Sequence, residues 1–179
     1  MVHVKVSRLT YADLEQLPPD EGKRYELIDG ELFVTASPNL AHQRAVRGLF
    51  LLLNAARGPE VEVLFAPFDW YVDEYNVYEP DLLVARIQDS TERYLPRPPL
   101  LAAEVLSPST RSRDLVRKRY AYEQAGLSHY WIVDPLLPAV TILERQNGRL
   151  VETLAVKGED TVTIERPFPI VLCPGDLLA

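Results

Sequence analysis

Seven residues, Leu100-Leu101-Ala102-Ala103-Glu104-Val105-Leu106, restrict the fold more than any other stretch of the chain. The run is of strand length, apolar at every position but one, and bounded by prolines at 98, 99 and 108. A strand that reads this way is a central strand covered on both faces, so the chain must place a layer on each side of a sheet. The exception is Glu104. Burying a bare carboxylate costs several kcal/mol or more, so Glu104 must be neutralised, paired or metal-bound, unless it sits at a strand edge and reaches solvent or an arginine.

The remaining pattern supplies those layers. Thr10 and Asp13 form an Asp variant of the capping box and predict a short helix with Leu14 and Leu17 turned inward, stopped by Pro18-Pro19. Lys23 to Ile28 and Glu31 to Thr35 read as strands joined at Asp29-Gly30, which suits the positive dihedrals of a type I′ hairpin. Ser37-Pro38 reads as an N-cap and first helical position, and opens a long helix. Val46, Leu49, Phe50 and Leu53 form its apolar stripe, His42 lies on the same stripe, and Gly58-Pro59 ends it. Strands are predicted over Val61 to Phe65, Phe68 to Val72 and Val77 to Ile87. Gln88 to Pro99 is polar and proline-rich, and reads as a mobile surface loop carrying Arg93 and Arg97.

After the Glu104 strand a helix is expected to run to about Ala125, with Ser112 as a possible N-cap and Gly126 as its terminator. Tyr130 to Val133 is a further strand, and Asn147-Gly148 joins two closing strands, Val140 to Glu144 and Leu150 to Val156, as a hairpin. The class is α/β or α+β: one domain over 1–179, a mixed central sheet flanked by helices, with extra hairpins.

Composition narrows the function. No apolar run approaches the roughly 20 residues that span a bilayer, and the N-terminus lacks a secretory h-region, which reads as a cytoplasmic protein. Cys173 is the only cysteine, which excludes an intrachain disulfide framework and a Cys-rich zinc site. A formal charge of -7 argues against holding nucleic acid by bulk electrostatics, so any polyanion contact must use a local patch. Arg111, Arg113, Arg117, Lys118 and Arg119 form the one dense basic cluster, either a solvated helix face or an edge that contacts phosphates.

Glu104 has two candidate partners. Asp81 follows Pro80 at the start of an apolar strand; taken alone it suits a turn as well as a ligand, but two carboxylates on neighbouring strands form a site for Mg²⁺. Lys118, at about 100° per residue, falls in the middle of the face formed by Leu115, Ala121, Tyr122 and Ala125, where a surface lysine would point away. It either snorkels across that face, with Asp114 as an i,i+4 partner, or turns toward the end of the Glu104 strand. Glu26 and His42 form a second tier: a hairpin glutamate is by default exposed, and a lone helix histidine is by default a packing residue. Tyr130-Trp131 reads as core, and Asp134 as a turn residue.

Tyr25-Glu26-Leu27-Ile28-Asp29-Gly30-Glu31, His42, Pro80-Asp81, Glu104 to Thr110, Asp114, Lys118, Tyr122, Gly126 and Tyr130 to Pro135 together resemble the Uma2 family, which is assigned to the PD-(D/E)xK restriction-endonuclease-like superfamily. The resemblance covers roughly Leu9 to Pro135 and only the general strand-rich character beyond. It implies a DNA endonuclease in which Asp81, Glu104 and the Val105 carbonyl bind Mg²⁺ or Mn²⁺, and it suggests a homodimer. Leu106 stands where the general superfamily pattern has a lysine, and Lys118 is the implied replacement from the following helix. Two other readings remain open at this point. One is a catalytically degenerate module that binds nucleic acid or protein without cleavage; the other is a metal-free acid/base pair of the glycosidase kind, for which no loop suggests a sugar site.

Overall fold

A computed structural model of the chain describes residues 8–18, 23–107, 111 and 113–179, the side chains of Arg113 and Asp114 excepted; the expected cap Ser112 lies outside them. The elements in chain order are α1 (Tyr11–Leu14), β1 (Lys23–Ile28), β2 (Glu31–Ala36), α2 (Leu40–Ala56), β3 (Val61–Phe65), β4 (Asp69–Asp73), β5 (Asn76–Tyr78), β6 (Leu82–Arg86), β7 (Tyr94–Leu95) and β8 (Leu101–Val105). They continue with α3 (Arg119–Gln124), β9 (His129–Asp134), β10 (Ala139–Gln146), β11 (Arg149–Lys157), β12 (Val162–Ile164) and β13 (Ile170–Leu172). The class is α+β, dominated by two mixed sheets. One runs β2-β1-β5-β4-β7 and the other β11-β10-β9-β8-β6-β3, with β12 and β13 as a separate pair. Among the described residues no helix is long and apolar enough to cross a membrane.

Both hairpin signals hold. Asp29 and Gly30 take φ of 57° and 76°, and Asn147 and Gly148 take 49° and 83°, the left-handed pair that a two-residue I′ turn requires. The Thr10–Asp13 capping box forms as expected. The cap of α2 is Asn39 rather than Ser37: its side chain accepts from the His42 amide at 3.0 Å, and Pro38 stays outside the helix.

The strand expected over Val77 to Ile87 is two strands in different sheets. Pro80 has no N–H to offer a ladder, and Glu79-Pro80-Asp81 is a buried crossing from β5 in one sheet to β6 in the other. The segment expected as a mobile loop contains a 3₁₀ turn over Ile87–Asp89 and β7, whose Leu95 is fully buried beside β4; Arg93 pairs with Glu15, and Arg97 lies 3.6 Å from Asp89.

β8 is buried at every position, as its composition demands. Its side chains alternate between two cores. Leu101, Ala103 and Val105 join Leu82, Val84, Trp131 and the α2 stripe of Ala45, Leu49 and Leu53. Ala102 and Leu106 join Leu83, Tyr130, Trp70 and Tyr78 in the second core, which α3 covers with Ala121 and Tyr122. Alternation therefore sets Glu104 on this second face. β6 pairs antiparallel with β8 in the register Leu82↔Ala103 and Leu83↔Ala102, so Asp81 precedes β6 at the Glu104 end of β8.

At the far side of the first core, α2 meets the C-terminal 3₁₀ turn, Gly175–Leu178. A Cβ on Gly48 would lie 2.3 Å from the Leu177 carbonyl oxygen. Alanine is the better helix former by about 1 kcal/mol, yet overpacking against backbone costs about 1–3 kcal/mol, so Gly48→Ala is expected to lower the melting temperature by several degrees. A thermal melt checks this; a raised Tm would mean that the close approach is absent.

Candidate active site

Glu26, Glu79, Asp81 and Glu104 converge with Arg24 and Lys118 where the two sheets meet. Asp81 is 3% exposed and takes three donors: Arg24 Nη1 donates to Oδ1 at 2.6 Å, the Val105 amide donates to Oδ2 at 2.8 Å, and His42 Nε2 lies 3.1 Å from Oδ2. The amide contact follows from topology, because the β6 ladder stops at Leu82 and the carboxylate takes the Val105 N–H beyond it. Burial raises the Asp81 pKa, but the His42 hydrogen bond and the Arg24 charge overcome it and hold the group at about 2. Asp81 is ionised throughout the physiological range.

Glu104 is 2% exposed. Lys118 Nζ donates to its Oε1 at 2.7 Å and the Tyr122 hydroxyl donates to the same oxygen at 2.6 Å. Lys118 also lies 2.9 Å from Glu26 Oε1, which in turn accepts from the Glu79 amide at 3.0 Å. Lys118 is thus the buried bridge between β1 and β8, and Glu26 belongs to the centre of the cluster rather than to an exposed hairpin. The Tyr122 ring stands 5.2–5.3 Å from those of Trp70, Tyr78 and Tyr130, and this apolar cage, with Glu104 beside the hydroxyl, raises the phenol pKa well above its usual range. Tyr122 stays a neutral donor.

Helical phase brings Lys118 inward by a route that an ideal helix does not describe. Arg113–Lys118 is a π-helical turn that runs into α3. The wider turn shifts the position three residues earlier off the Lys118 face, so Leu115 is 37% exposed although an α-helical wheel would bury it with Lys118. Lys118 and Tyr122 remain one α-turn apart and reach the same carboxylate oxygen. Leu106, at the motif-lysine position, is a core residue of the second cluster.

Arg24, Glu79 and Asp69 complete the site and were not singled out in the sequence, since alternating charges in β1 and an acid before Pro80 look like ordinary surface and turn chemistry. Burial pushes Glu79 up to about 8, with Arg24 working against it. Glu79 Oε1 and Arg24 Nε make no hydrogen bond among the described residues and face each other at 3.8 Å, a long ion-pair contact. Burial, assisted by the Glu26 charge, raises Asp69 to about 6 from an ordinary 3.8. Its ionisation therefore weakens the fold as pH rises from about 4 to about 6. Asp69→Asn is expected to leave stability unchanged below about pH 4 and to add up to about 2 kcal/mol above pH 6, measured by urea denaturation across pH.

The described arginines of the expected nucleic-acid edge are engaged within the chain. Arg111 pairs with Asp134 at 2.6 Å, Arg117 with Glu31 at 2.9 Å while covering the Phe33 ring, and Arg119 donates to the Leu150 carbonyl at 2.7 Å. The Arg113 side chain lies outside the described residues. Asp134 also accepts from the amides of Leu136 and Leu137, the expected turn role, and Tyr130 and Trp131 are fully buried core. The basic groups that do border the site are Lys23 and Arg24, beside Asp81 and His42 in a cavity of about 290 Å³. A second cavity, of about 410 Å³, shares Lys23 and reaches Glu79 and Asp69.

A family model described as "Putative restriction endonuclease" matches residues 11–174. The chain belongs to the Uma2 family. The Uma2 match runs about 40 residues beyond Pro135, so the closing strands are part of the family pattern and not an appended region. No curated protein matches the chain. Among solved structures, "a putative nuclease belonging to DUF820" from Anabaena variabilis ATCC 29413 shares the fold at a TM-score of 0.74 and 18% identity, over 95% of this chain and 97% of that one. That likeness shows that this Uma2 chain and that protein share a fold over nearly their whole length.

A divalent cation suits the residues present. Glu26, Glu79, Asp81 and Glu104 are buried carboxyl groups with Arg24 and Lys118 among them, and with Glu79 held at about 8, ionisation of the other three against both cations leaves one negative charge uncompensated. An all-oxygen acidic donor set is the chemistry of Mg²⁺ or Mn²⁺. Three potential ligand atoms lie within 4.8 Å of one another, among the described residues, only at Glu159, Cys173 and Asp176, so a cation at Asp81 and Glu104 would draw on few protein ligands and on water, as Mg²⁺ commonly does.

Proposed function

We propose that this Uma2 protein is a metal-dependent endonuclease that hydrolyses phosphodiester bonds of DNA. The observation that carries the reading is Lys118, buried and bonded to Glu104 at 2.7 Å. An ammonium delivered to the motif acid from the following helix supplies the cation that Leu106 does not.

Asp81 and Glu104, with the Val105 carbonyl, would hold Mg²⁺ or Mn²⁺; when bound, the ion supplies Lewis-acid polarisation of the phosphate and acidification of water. The other steps belong to the chain. The Val105 amide, Arg24 and His42 fix the Asp81 carboxylate, and Tyr122 fixes Glu104, so that neither reorganises as charge moves. Lys118, set between two carboxylates, offers positive charge where negative charge develops on the phosphoryl oxygens. The aromatic cage keeps bulk water from this pair and so strengthens it. No covalent protein nucleophile is needed.

The test is incubation of labelled single- and double-stranded DNA with Mg²⁺ or Mn²⁺, beside a chelator control and the Asp81→Ala and Glu104→Ala variants. Cleavage that needs metal and disappears in both variants is expected. Cleavage that survives both would place the activity elsewhere.

A further inference from the structure

The 290 Å³ cavity is lined by Asp81 and His42 of the site together with basic and apolar side chains. Its volume sits near the ~300 Å³ floor of small-molecule sites. Lys23 and Arg24 provide positive charge, and Phe65 and Pro67 provide apolar surface. Phe65 ends β3, the edge strand of the larger sheet, and is 55% exposed, with its ring held edge-on by Phe50 at 5.4 Å. Arg24 reaches Asp81 through Nη1 at 2.6 Å and Glu79 through Nε at 3.8 Å, so its guanidinium stands at the boundary between the acids and the cavity.

The depth of the acids selects what that ligand is. Asp81 and Glu104 are 2–3% exposed, and a phosphodiester reaches such groups only if its strand enters the cleft. A paired strand must first unpair as well as unstack, whereas an unpaired strand has no base pair to break. A net charge of -7 gives little bulk attraction to a duplex, whereas an unpaired strand is held by a short cationic groove and a stacking ring.

Resting on the nuclease reading, we propose that this cavity is a nucleotide subsite that takes one unstacked nucleotide beside the scissile phosphate, with its base on Phe65 and its phosphate on Lys23 and Arg24, and that unpaired nucleic acid is the preferred substrate.

The test reads binding, with chelator present so that no strand is cut. Phe65→Trp adds an exposed indole to two native tryptophans that are at most 1% exposed. Its emission is expected to be quenched by a single-stranded 12-mer, with DNA and RNA as separate arms, and not by the blunt duplex of the same sequence. Phe65→Ala, with its fold checked by circular dichroism, is expected to weaken single-strand binding about tenfold, the contribution of one stacked base, and to leave duplex binding unchanged. Duplex bound as tightly as single strand, or Phe65→Ala within twofold of the parent, would overturn the subsite. Metal-dependent cutting of duplex as fast as single strand would overturn it too while leaving the nuclease reading intact. Single-strand binding through Phe65 without cleavage in any metal would support the subsite and remove the nuclease.

Discussion

Lys118→Met is expected to lose about 3–5 kcal/mol of unfolding free energy together with nearly all turnover. The ammonium is the shared partner of Glu26 and Glu104, both 2% exposed, and its removal leaves two buried carboxylates within reach of each other. Methionine keeps the volume and the flexible stem, so the loss reports charge rather than a cavity. Pairing it with Glu104→Gln should restore part of the stability and none of the activity, because the second change removes one of the stranded charges and the motif acid with it. Urea denaturation of the two variants measures this. A single variant as stable as the parent would mean that the acids are protonated and that Lys118 compensates nothing.

Asp81→Asn is expected to reduce turnover on the order of 10³-fold with the fold retained. A metal acting as Lewis acid contributes several kcal/mol to the transition state, and each 1.36 kcal/mol is about tenfold in rate. Asparagine matches the shape of aspartate and still accepts from the Val105 amide through its carbonyl oxygen, but it carries no charge for a cation or for Arg24. Single-turnover cleavage of a labelled strand measures the drop. A rate within tenfold of the parent would remove Asp81 from the chemistry.

The parts of this fold that were readable in the sequence are those that local chemistry decides. Asp29-Gly30 and Asn147-Gly148 make hairpins because few other dipeptides tolerate two positive φ angles, and Leu100 to Leu106 makes a central strand because no half-exposed strand is that apolar. What failed was decided at a distance. Val77 to Ile87 looks continuous because each half is apolar, while the identity of its neighbours, β1 on one side of Pro80 and β3 on the other, is a property of topology. The inward turn of Lys118 followed from its phase with Ala121 and Tyr122, but the exposure of Leu115 followed from a π-turn that side-chain periodicity does not encode. Glu26 and Arg24 were the hardest to place. In a two-stranded hairpin both would be solvent-facing, and only the stacking of that hairpin against Glu104 and Asp81 gives them partners.

The central claim is that Asp81 and Glu104 form a divalent-cation site, and calorimetric titration of the protein with Mn²⁺ tests it most directly. One ion per chain is expected, with the binding heat abolished in Asp81→Asn and in Glu104→Gln. An equal heat in the parent and both variants, or no heat in the parent, would contradict it.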